Sequence, residues 1–93
     1  MRQAEWTPEA QQDLAQIDDY HRQRDPNYAD QLGRSLLAAA RFAAQFPKAG
    51  EQIRRGIRKR TVPSSSYVLT YRIRRQTIEI LAVHHNKTGW RPL

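Results

Sequence analysis

YVLTYRI (Tyr67–Ile73), a hairpin-length break, and TIEILAVHHNKTGW (Thr77–Trp90) decide how this chain folds. In the first run Tyr67, Leu69, Tyr71 and Ile73 alternate with Val68, Thr70, Arg72 and Arg74. That period of two predicts a strand with one apolar face and one that turns basic, placed centrally in its sheet. Ile78 to Val83 is almost uninterrupted apolar sequence, as expected of a strand buried on both faces. Arg75-Gln76 is short enough for a hairpin turn but lacks the Asn-Gly or Asp-Gly pair that would fix its type. Scaffold and working surface share this segment, because it ends in His84, His85 and cations.

Working back toward the N-terminus, the period changes. Ile57 to Val62 is a further strand, mostly charged and therefore expected near an edge or with one wet face. Pro63 and Ser64 to Ser66 break it. Ahead of the Lys48-Ala49-Gly50 connector the repeat is helical. Thr7-Pro8 is an N-cap followed by proline at the first helical position, and Ala10, Leu14, Ile17 and Tyr20 or His21 form one apolar face, with Gln11, Gln12, Asp13, Asp18 and Asp19 mostly outward. Asp25-Pro26 repeats the start signal. Ala29, Leu32, Leu36, Ala39 or Ala40, Ala43 and Phe46 carry the second helix to Pro47, which ends it. Gln3 to Trp6 is a short candidate first strand. The chain thus reads β-α-α-β-β-β: an α+β fold in which an N-terminal αα-hairpin packs on a small antiparallel sheet.

Ninety-three residues make one domain, spanning 1–93. Cysteine is absent, which excludes disulfides, thiolate nucleophiles and thiolate metal sites, and suits a reducing, cytoplasmic setting. The N-terminus lacks the apolar stretch of a signal peptide and no run reaches membrane-spanning length, so neither export nor membrane insertion is expected. Charge is divided unevenly: residues 1–50 hold six Lys and Arg against seven Asp and Glu, whereas residues 51–93 hold ten against two. The second half is the electropositive surface, fitted to nucleic acid or to an acidic protein segment. The cations lie on strands and neither helix is basic enough to read a major groove, which argues against sequence-specific DNA recognition.

Trp6 with Pro8, Ala10, Asp13-Leu14 and Ile17, then Phe46-Pro47 with Gly50, Arg58, Tyr67 with Tyr71-Arg72, and Ile78-x-Ile80-Leu81-x-Val83-x-His85 occur in an order that resembles the ParE branch of the RelE/ParE toxins of bacterial type II toxin-antitoxin systems. The resemblance spans nearly the whole chain. It implies a compact toxin linked to plasmid stabilisation, needing no cofactor and silenced by a ParD-like or related antitoxin. ParE-type members poison DNA gyrase. RelE-type members cut messenger RNA on the ribosome, which is the alternative.

Candidate contact residues for target or antitoxin are Arg54, Arg55, Arg58, Lys59, Arg60, Arg72, Arg74, His85, Lys87, Trp90 and Arg91. If the strand from Ile57 pairs with the one containing Tyr71, its arginines and those of the neighbouring strand converge on one basic surface, where guanidinium groups suit bidentate capture of phosphate or carboxylate. The alternative is a solvated strand face. Were the chain a nuclease, His85, Arg58 and Arg72 are the catalytic candidates, His85 as general acid. His85 equally reads as a histidine packed at a sheet end, Tyr67 and Tyr71 as core aromatics, and Trp90 as either an interface anchor or a C-terminal clasp. Adjacent His84 and His85 diverge along a strand, so no metal site is expected.

Overall fold

The computed structural model describes residues 3–86. Its elements are β1 (Gln3–Trp6), α1 (Pro8–Arg22), α2 (Pro26–Gln45), a 3-10 turn (Pro47–Ala49), β2 (Glu51–Arg54), β3 (Ile57–Thr61), β4 (Tyr67–Ile73) and β5 (Thr77–His85). They build a five-stranded sheet in the order β1-β5-β4-β3-β2. Neighbours from β2 to β5 are antiparallel, and β1 joins β5 in parallel, so the sheet is mixed where an antiparallel one was expected. The parallel pairing follows from the connection. The whole αα-hairpin lies between β1 and the later strands, and a crossover of that length is what a parallel neighbour needs.

β2 is the strand that the sequence reading does not contain. Its four residues are short and polar, but Gly56, at φ 77, takes the left-handed conformation that turns the chain straight back onto β3. β3 is therefore internal and β2 is the edge. β4 is the middle strand, as its alternation predicts.

One face of the sheet holds Leu69, Tyr71, Ile78, Ile80 and Val83, buried against Ala10 of α1 and Leu32, Leu36, Ala39, Ala40 and Ala43 of α2. Each large aliphatic side chain taken from water here contributes about 1.5–3 kcal/mol, and the alanines let α2 approach closely. Phe46 does not complete the α2 stripe: it is 49% exposed and leans on Phe42, with ring centroids 5.0 Å apart. β5 is not covered on both faces, since Glu79 and Leu81 remain partly exposed. Its unbroken apolar run hides a bulge. Thr70 pairs with Ala82 but Tyr71 pairs with Ile80, leaving Leu81 as the extra residue, so Val83 regains the helix-covered face that Ile78 and Ile80 occupy.

Asp13 explains how the bulge is held. Its carboxylate accepts the Val83 N–H at 3.0 Å, so it points inward to the sheet and not outward as expected. Thr7 adds a second tie, capping α1 through Ala10 N–H (3.1 Å) while donating its hydroxyl to the Ile80 carbonyl (2.9 Å). Both helix-one contacts fix α1 across β5.

Candidate functional site

Register divides the basic residues between two faces. Arg58 pairs with Tyr71 and Arg60 with Leu69, so both lie on the side that carries the helices; Lys59 pairs with Thr70, and Arg72 with Ile57, on the opposite side. The single convergent basic surface expected from the sequence does not form. Alternation along β3 sends neighbouring cations in opposite directions, which a count of charges per segment does not reveal.

Most of these cations are already engaged. Arg58 donates from Nη1 to the carbonyls of Gly50 (2.7 Å) and Lys48 (3.3 Å), bracing the connector after α2. Lys59 sits 3.8 Å from Glu51, and Glu79 receives both Arg72 (3.9 Å) and Arg74 (3.3 Å). Arg60 instead lies over the Phe42 ring, 3.8 Å from its centroid. Arg54, at the end of β2, pairs with Ile57 across the strand, and Arg55 is exposed in the turn beside Gly56. Lys87, Trp90 and Arg91 lie outside the described residues.

His85 is on the helix side, opposite Tyr67. Its ring meets Tyr67 edge-on at 5.5 Å, and Tyr67 Oη shares a 2.9 Å hydrogen bond with His21 Nε2 from the last turn of α1. Tyr28 of α2 stands edge-on to His21 at 5.0 Å. The result is a half-buried group of imidazoles and phenols where α1, α2, β4 and β5 meet. Burial pushes the Tyr67 hydroxyl above its ordinary value, with the neighbouring Tyr28 and Tyr20 adding to the effect, so it remains a neutral donor and acceptor. Of the two inward options at the end of helix one, His21 is the one taken, and Tyr20 is 53% exposed. The sequence signal for this group was the period of α1, which brings His21 beneath Ile17.

Tyr71 is fully buried at the other end of β4. Its hydroxyl donates to the Pro47 carbonyl (2.6 Å) and accepts the Gly50 N–H (3.2 Å). Tyr67 and Tyr71 are four residues apart on one strand, so the His85 end and the Arg58 end of this face are separated by about 13 Å. Arg72, on the reverse face, can join neither.

Two findings from other proteins bear on this arrangement. Residues 4–90 match the family described as "ParE toxin of type II toxin-antitoxin system, parDE". The chain belongs to the ParE toxin family. A chain from the solved structure described as the chromosomal ParDE TA system from P. aeruginosa shares the fold of this ParE-family toxin, with a TM-score of 0.78 at 21% identity over 91% of this chain and 96% of that one. No curated protein sequence gave a match. This ParE-family toxin sets two helices against a mixed sheet, and no described helix is long and apolar enough to cross a membrane.

Proposed function

We propose that this type II toxin acts by contact, binding DNA gyrase and stabilising its cleaved DNA complex, and that a cognate ParD-like antitoxin neutralises it. The observation that carries this reading is the separation of His85, Arg58 and Arg72. Cleavage of RNA by in-line attack of a ribose 2′-oxygen needs a base for that hydroxyl, cations for the charged pentavalent phosphorus and an acid for the leaving oxygen, all within a few ångströms of one phosphate. Here the acid candidate and one cation lie at opposite ends of a face, and the second cation lies on the other side of the sheet. The two carboxylates of the second half, Glu51 and Glu79, are held by Lys59 and by Arg72 with Arg74 on that other side. Dispersed cations serve a binding surface better than a reaction centre, since a large partner can reach both ends at once.

Induction in living cells separates the two modes of action. A gyrase poison leaves translated messages intact by primer extension while inducing the DNA damage response. Cuts at codon positions without DNA damage would instead establish the ribosome-dependent nuclease.

A further inference from the structure

Four cations of the described strands are half-buried: Arg58, Lys59, Arg60 and Arg72. Three of them find acceptors within the chain, on backbone carbonyls, Glu51 and Glu79 respectively. Arg60 has no ion pair among the described residues, and its Nε is shut off from water with no hydrogen-bond acceptor. That buried donor costs stability, while the Nη nitrogens of the half-buried side chain are not shut off and can meet an acceptor from outside. The Phe42 ring fixes its plane. Ser35, Ala38, Ala39 and Pro63 complete a notch of about 240 Å³ around the pair, with no carboxylate in its lining. Beyond it Phe46 extends the apolar surface from Phe42.

We propose that this notch receives a carboxylate from the inhibitory segment of the antitoxin, held by the Arg60 guanidinium, while an apolar side chain of the same segment packs on Phe42 and Phe46. The inference rests on the antitoxin reading above and assigns that partner its anchor. A planar guanidinium offers paired donors that match a carboxylate, and stacking on an aromatic ring orients the fork in advance. The walls favour peptide over nucleic acid. A phosphate backbone is gripped by rows of cations, whereas the notch is lined by Ser35, alanines, Phe42 and Pro63 beside Arg60; Arg58, on the same face, is held by the Gly50 and Lys48 carbonyls, and Lys59 faces the other way.

The test uses the full chain in complex with a cognate ParD-like antitoxin, its affinity measured for the parent toxin and for Arg60→Gln, Arg60→Lys and, as a control, Arg75→Gln in the turn between β4 and β5. Loss of a charge-assisted bond to a desolvated partner weakens binding about 10- to 100-fold in Arg60→Gln. Arg60→Lys, which keeps the charge but not the fork, falls between, and Arg75→Gln, which deletes an exposed cation away from the notch, changes affinity less than about 3-fold. A loss in Arg60→Gln no larger than that in Arg75→Gln overturns the notch while leaving the antitoxin reading intact. Absence of any complex with the parent toxin overturns both. Retained antitoxin affinity with lost binding of a single-stranded RNA 20-mer in Arg60→Gln would reassign the notch to phosphate and overturn the proposal.

Discussion

Tyr71→Phe removes one oxygen from the junction between α2, β2 and β4. That hydroxyl donates to the Pro47 carbonyl and accepts the N–H of buried Gly50, so the variant deletes two hydrogen bonds and strands an amide away from water. Each bond contributes about 0.5–1.5 kcal/mol net, and an orphaned buried donor costs about 1–3 kcal/mol. The Pro47 carbonyl is half-buried and regains water, which leaves an expected loss of about 2–3 kcal/mol. For a domain of this size that lowers Tm by roughly 10–20 °C. Urea unfolding followed by far-UV circular dichroism measures it, with the slope against denaturant unchanged. The same site gives an internal check. A Cβ added at Gly50 meets Tyr71 Oη and, at 2.8 Å, the Lys59 carbonyl, so Gly50→Ala is destabilising by about 1–3 kcal/mol through overcrowding. Tyr71→Phe relieves only the first of those clashes, so the double variant should lose less than the two single variants added together. A Tyr71→Phe loss under about 0.5 kcal/mol, or strict additivity with Gly50→Ala, refutes the role assigned to this hydroxyl.

Three further outcomes concern the same hydroxyl, the β5 bulge and the reverse face of the sheet. Burial holds the Tyr71 hydroxyl above its ordinary value of 10, more than the Gly50 N–H, Arg58 and Arg60 pull it down. The folded state therefore keeps this proton to higher pH than the unfolded chain, and the contribution is complete below pH 10 and fades as pH rises through the folded value. Unfolding free energies measured from pH 8 upward should decline beyond pH 10, and less steeply in Tyr71→Phe. Asp13→Ala removes the acceptor for the Val83 amide at the β5 bulge and should cost about 1–3 kcal/mol, with hydrogen exchange at Val83 accelerated first. Glu79→Gln breaks the contacts to Arg72 and Arg74 on a partly solvated face, so its cost stays under about 1 kcal/mol and shrinks further in 1 M salt.

The elements that sequence made legible were those with a clean period. Thr7-Pro8 and Asp25-Pro26 marked both helix starts because capping chemistry is local, and the alternation of Tyr67 to Ile73 fixed β4 as the central strand. β2 escaped because its signal is the single left-handed Gly56, not a pattern in its own four residues. The parity of β5 escaped because a bulge has no composition: Leu81 looks like any other apolar residue of the run, and only the pairing register shows that it is the extra one. Asp13 was misplaced for a related reason. A carboxylate on a helix reads as solvent-facing until a strand amide freed by the bulge is brought to it. At the candidate site, residue types were recoverable but grouping was not. Arg58 and Arg72 belong to adjacent strands, yet their inter-strand partners, Tyr71 and Ile57, place them on opposite faces. His21 joined Tyr67 and His85 only through the packing of α1, 46 residues away from Tyr67.

Proposed for this ParE-family toxin is action by binding gyrase, with no chemistry of its own. Purified toxin incubated with gyrase, supercoiled DNA and ATP tests it most directly. Linear DNA released after protease treatment should accumulate with toxin concentration, and toxin incubated with DNA alone should leave it uncut. Undiminished supercoiling and no cleaved DNA at saturating toxin would contradict the claim.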